Sequence, residues 1–109
     1  MPPKLQITDV KPSWTNPVPP NTYIWIDVYV KNVGDTDSGT WWVVLVDDDT
    51  EDLIDKMFVA SIPPGQEVWV QFSAYSDQWV TDTKRNMRIE VGIEGELHDV
   101  WGCKYAFII

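Results

Sequence analysis

An all-β sandwich is the fold this sequence predicts. No segment carries the apolar period of a helix, and clusters of Pro, Gly, Asn and Asp cut the chain into short runs rich in β-branched and aromatic residues. The clearest of these runs changes face at every residue. With 109 residues, 44% of them hydrophobic and 23% charged, there is material for one two-layer core, so residues 1–109 are read as a single domain.

The first run, Lys4 to Val10, is expected to stop at Lys11-Pro12-Ser13, because proline cannot donate to a ladder. The proline-rich link from Asn16 to Asn21 belongs at an edge or corner for the same reason. In the second run, Thr22 to Asn32, Ile24, Ile26, Val28 and Val30 fall on one side, while Tyr23, Trp25, Asp27, Tyr29 and Lys31 fall on the other. The aliphatic side is the predicted core face. After the turn from Gly34 to Gly39, the third run, Thr40 to Asp47, is apolar on both sides, with Trp41, Val43 and Leu45 backing Trp42, Val44 and Val46. Alternation alone therefore leaves its register open.

The acidic reversal Asp47-Asp48-Asp49-Thr50-Glu51-Asp52 leads into a fourth run, Leu53 to Val59, predicted to pair back as a hairpin. Ile62-Pro63-Pro64-Gly65 makes a corner, since proline presets φ and glycine accepts φ > 0. The fifth run, Glu67 to Ser73, puts Val68, Val70 and Phe72 on one side and Trp69 and Gln71 on the other. An irregular stretch from Ala74 to Lys84 precedes the sixth run, Asn86 to Glu94, with Met87, Ile89, Val91 and Ile93 inward. Glu94-Gly95-Glu96 then turns the chain into a last run, about Leu97 to Ile109. These runs predict a seven-stranded immunoglobulin-like β-sandwich of two antiparallel sheets. The first, second and fifth strands form one sheet and the third, sixth and seventh the other, with the fourth able to join either.

Acidic residues outnumber basic ones 17 to 8, for a net charge of −9, and a surface of that sign repels nucleic-acid phosphates and anionic headgroups. No nucleic-acid partner is expected. No apolar run approaches the roughly 20 residues of a membrane span, so no membrane insertion is expected. Met1-Pro2-Pro3-Lys4 lacks the apolar segment of a signal peptide, and in a secreted protein this chain would be an excised fragment.

Catalysis needs a nucleophile beside a base, paired carboxylates in a cleft, or metal ligands with an open position. The one histidine, His98, and the one cysteine, Cys103, do not amount to a zinc site, and their spacing on one strand points them to opposite faces. Cys103 reads as an inert buried thiol and His98 as a structural residue. No enzyme is expected. The reversal containing Asp47, Asp48, Asp49, Glu51 and Asp52 offers enough oxygens for a calcium ion but lacks the spacing and central glycine of an EF-hand. The competing reading is a solvated turn, and the same choice applies to Asp35-Thr36-Asp37-Ser38-Gly39. No other cofactor is implied.

Seven tryptophans and four tyrosines exceed what a core of this size requires. Alternation sends Tyr23, Trp25 and Tyr29 outward from the second strand, and Trp69 and Gln71 outward from the fifth. With those strands as neighbours, the residues form one exposed patch. Such a patch marks a contact surface for a protein or neighbouring domain, or else for carbohydrate. The plain alternative is sheet cover, with each cross-strand pair contributing about 0.2–1 kcal/mol. Trp42, Trp79 and Trp101 are less readable, with an outward face open to Trp42, a core position open to Trp101 and Trp79 in the irregular stretch.

The segments Ser13-Trp14-Thr15-Asn16-Pro17 and Ile24 to Asp35, the latter ending Lys31-Asn32-Val33-Gly34-Asp35, resemble the CARDB domains, modules named for cell-adhesion-related proteins. So do Val43 to Asp47 and Ile62-Pro63-Pro64-Gly65-Gln66 followed by Val68, Val70 and Phe72. The family's glycine before the second strand is replaced here by Pro20-Asn21, and its acidic, paired-asparagine ending is not matched by Glu96-Leu97-His98-Asp99-Val100. The resemblance implies an extracellular or cell-surface module, often arrayed beside other domains. Together with the residue inventory it leads to the expectation of a noncatalytic structural or adhesive module, with the aromatic patch itself offering carbohydrate binding as the alternative.

Overall fold

The computed structural model describes residues 2–13, 23–48, 51–75 and 84–108. These contain seven strands and no helix: β1 (Leu5–Pro12), β2 (Tyr23–Asn32), β3 (Trp41–Asp47), β4 (Leu53–Val59), β5 (Glu67–Tyr75), β6 (Lys84–Ile93) and β7 (Glu96–Ile108). They pair antiparallel as β1-β2-β5 and β4-β3-β6-β7, the two sheets of an immunoglobulin-like sandwich. The fourth strand joins β3 because the reversal between them is closed by the backbone. The amide of Asp47 donates to the Asp52 carbonyl at 2.9 Å, and the amide of Glu51 to the Asp47 carbonyl at 2.8 Å. The proline-rich link from Asn16 to Asn21, Asp49 and the segment holding Trp79 lie outside the described residues.

The expected end of the first strand requires correction. β1 continues through Lys11 to Pro12, which stands opposite Ile26. It is an edge strand, where proline's missing donor costs no second ladder, and a register shift between Ile7 and Asp9 lets it bend. β5 likewise extends past Ser73, and β6 begins before Asn86.

The core lies between Ile26, Val28, Val30 and Phe72 of one sheet and Met87, Ile89 and Val91 of the other, where alternation predicted it, together with Val43 and Leu45 of β3. The register of β3, open in the sequence, is set by Trp41, Val43 and Leu45 facing inward. Trp41 is fully buried, with its indole N–H satisfied by the Ala60 carbonyl at 2.9 Å. Val44 and Val46 are also buried, because β3 is flanked by both β4 and β6.

The quoted motif residues organise one end of the sandwich. Asn32 is fully buried, and its amide donates to the carbonyls of Thr36 (2.8 Å) and Ile62 (2.9 Å). Its carbonyl oxygen accepts from the backbone amides of Gly34 (3.0 Å) and Lys4 (3.3 Å). A side chain on Gly34 would collide with the backbone of Pro2, Pro3 and Lys4, which explains the glycine two residues after the asparagine. Pro63 to Gln66 forms a type II turn. Its closing bond is 3.2 Å, Pro64 occupies the position that favours proline, and Gly65 supplies φ of 80°.

On one flank the two sheets are joined by side chains. The Leu5 amide donates to His98 Nδ1 at 3.1 Å, and the Ile7 amide donates to Asp99 Oδ2 at 2.8 Å. His98 thus accepts at Nδ1 and carries its proton on Nε2.

Candidate functional site

β2 and β5 present the predicted aromatic residues in rows set by their register. Trp25 stands opposite Ser73, Asp27 opposite Gln71, Tyr29 opposite Trp69 and Lys31 opposite Glu67. Alternate residues on a strand are about 7 Å apart, so Trp25 and Trp69 lie two rows from one another. Tyr23, Trp25 and Trp69 are 70%, 46% and 59% exposed, and Tyr29 is half-buried. The surface is not one unbroken aromatic patch. Gln71 Nε2 donates to Asp27 Oδ1 at 2.9 Å, so a hydrogen-bonded polar pair divides Tyr23 and Trp25 from Tyr29 and Trp69.

The edges of this face are polar. From β1, the Lys11 ammonium sits 4.9 Å from the centre of the Tyr29 ring and 3.9 Å from Asp9. Thr8 Oγ1 lies 3.1 Å from Glu67 Oε2 and 3.3 Å from the Tyr29 carbonyl, with one hydroxyl proton to donate to either. Among the described residues of this face, Asp9, Asp27 and Glu67 are nearly balanced by Lys11 and Lys31, on a chain whose net charge is −9.

The acidic hairpin is organised around a residue that sequence reading did not single out. Arg88, on the outward side of β6, donates to Asp48 Oδ1 and Glu51 Oε2, each at 2.6 Å, to Glu51 Oε1 at 3.1 Å and to Glu90 Oε2 at 3.3 Å. The hydrogen bond from Arg88, followed by its charge, holds the Glu51 carboxyl below its ordinary value, while the guanidinium is held more firmly protonated by Glu51. Asp47 is buried, Asp52 is exposed and Asp49 lies outside the described residues. Among the described residues, no group of three or more His, Cys, Asp or Glu side chains is placed to hold a metal ion. The signal for Arg88 was available in the alternation of β6, which sends Arg88 and Glu90 outward between Met87, Ile89 and Val91.

Trp42 also acquires a definite place. It is half-buried on the outer face of β3 over Gly92, where a side chain would collide with the indole ring. Its N–H donates to the Glu94 carbonyl at 2.6 Å. On one side lies a groove of about 380 Å³ over Val44 and Val46, and on the other a second of about 600 Å³ beside Phe58. Lys56 lies over both rings, 4.9 Å from the centre of Phe58 and 5.9 Å from that of Trp42. Trp101 is half-buried against the core. A glycine inside a strand marks close approach, and Gly92 was the residue that could have located Trp42.

Among the described residues, no helix is long and apolar enough to cross a membrane. No curated protein matches the chain. The CARDB family model matches residues 2–98, spanning β1 through β6 and the start of β7. CARDB domains are non-enzymatic, immunoglobulin-like modules typical of extracellular or surface proteins. The buried Asn32, the Gly34 approach and the Pro63 to Gln66 turn are the structural content of the motifs by which this chain belongs to the CARDB family.

Proposed function

We propose that the chain is a noncatalytic structural or adhesive module of a cell-surface or secreted protein, and that it makes contact through the outer face of the β1-β2-β5 sheet. One observation carries this reading. The core is filled by aliphatic residues with Trp41 and Phe72, yet Tyr23 and Trp69 are mostly exposed and Trp25 is nearly half exposed on one sheet face. Large rings held out from a complete core cost solvation without adding to the interior, and exposed apolar clusters of this kind mark contact surfaces.

Bead adhesion tests it. Beads coated with the chain are presented to surfaces carrying the same chain, unrelated protein or polysaccharide. Adhesion to at least one of these surfaces is expected, with loss in the Trp25→Ala, Trp69→Ala double variant, which remains folded at the assay temperature. Equal adhesion by wild type and double variant, or none by either, would sink the reading. Carbohydrate as the occupant is favoured by the Asp27 and Gln71 pair between the rings.

A further inference from the structure

We infer that the occupant of this face is an uncharged glycan chain lying along β2 and β5, stacked on Trp25 at one end and Trp69 at the other and hydrogen-bonded by Asp27 and Gln71 between them. This rests on the face being the contact surface proposed above.

The order of residues across the face is the first argument. Protein interfaces place an apolar, desolvated centre inside a polar rim. Here the rim is polar, but a polar pair also interrupts the centre. The hydrogen-bonded Asp27 and Gln71 lie in the middle row, Trp25 in the row before and Tyr29 with Trp69 in the row after. A protein docking on this face would desolvate a carboxylate at its centre, which is costly without a matched donor. A sugar ring meets the same pattern without that penalty. Its C–H faces stack on indole and phenol, while its hydroxyls both donate and accept. The carboxylate accepts through Asp27 Oδ2 as well as Oδ1, and the Gln71 amide offers its carbonyl oxygen and its second N–H.

Shape and charge narrow the class. The rings stand on a sheet face rather than in a cavity, which suits a polymer laid across several rows better than a small molecule that must be enclosed. Trp25 and Trp69 are separated by about 13 Å along the strands, the reach of an oligosaccharide rather than of one sugar. Lys11 lies over Tyr29 and pairs with Asp9, leaving the described residues of the face near neutrality on a molecule of net charge −9, so an acidic polymer would be repelled and an uncharged one would not.

The test is affinity electrophoresis of the whole chain in gels containing soluble β-glucan, mannan, xylan, alginate or pectate, with sedimentation equilibrium run in parallel. Retardation by at least one uncharged polymer is expected, insensitive to salt. Trp25→Ala and Trp69→Ala should each weaken it at least tenfold, and Asp27→Ala with Gln71→Ala should weaken it without change in melting temperature. Phe58→Ala, on the opposite sheet, should bind as wild type. Retardation only by alginate or pectate, or retardation unaffected by Trp25→Ala and Trp69→Ala, overturns the inference. If no glycan retards the chain but self-association is present and lost in the tryptophan variants, the glycan assignment falls while the contact face stands. If neither glycan binding nor association responds to those variants, the glycan assignment falls, and the contact face falls with it when the bead adhesion is equally indifferent to them.

Discussion

At the scale of single residues, Asn32 and Arg88 carry more structure than their neighbours. Asn32 satisfies two backbone carbonyls and two backbone amides around one corner, so Asn32→Ala leaves buried polar groups unpaired. The expected loss is about 3 kcal/mol, read from the urea midpoint. Glu51 illustrates the sign of the pH effect. Arg88 lowers its carboxyl from the ordinary 4.5, so its contribution is complete above that value and is lost as pH falls through the lower folded one. The melting temperature should drop on acidification below about pH 4.5, and less steeply in Arg88→Met. Calcium is expected to leave the wild-type melting temperature unchanged, because Arg88 already engages Asp48 and Glu51. A rise would show that the hairpin takes the cation. The motif residues Asn32, Gly34 and Gly65 were visible in the sequence. The reason for Gly65, a local turn with positive φ, was legible as well, whereas those for Asn32 and Gly34 were not, since they depend on backbone segments remote in the chain.

At the scale of elements, β2 separates packing from presentation within adjacent residues. Ile26→Ala opens a cavity against the fully buried Val28 and Phe72 layer and should cost about 2–5 kcal/mol. Trp25→Ala, one position away, should cost about 1 kcal/mol or less, the scale of a cross-strand pair. Thermal or denaturant unfolding of the two variants checks both. Alternation made this division legible in β2 because one of its faces is aliphatic and the other mixed. The same rule was silent for β3, which is apolar on both faces and had to be settled by its two flanking strands. The end of β1 was misjudged by a different rule, that proline stops a strand, because its missing donor is harmless on an edge. The aromatic face was legible residue by residue, but the hydrogen bond that splits it was not, because the register of Asp27 against Gln71 is a property of two strands.

At the scale of the whole molecule, the topology joins distant parts of the chain. β2 pairs with β5 and β3 with β6, so much of the sandwich forms only after long segments have come together. Folding in milliseconds to seconds is expected by stopped-flow fluorescence, far slower than for a helical bundle of similar size. Among the described residues, the sheets run β1-β2-β5 and β4-β3-β6-β7, which leaves β1 and β7 as outer strands.

Those two strands meet through the bonds from Leu5 to His98 and from Ile7 to Asp99, and the residue numbers rise together on both sides. The strands therefore run the same way along that flank. Tension entering the chain at β1 and leaving at β7 would pull them in opposite directions along their common axis. The two bonds would then be sheared at once, instead of peeled apart singly. A module that joins other bodies under load gains a catch from two side chains placed on the rim of its second sheet.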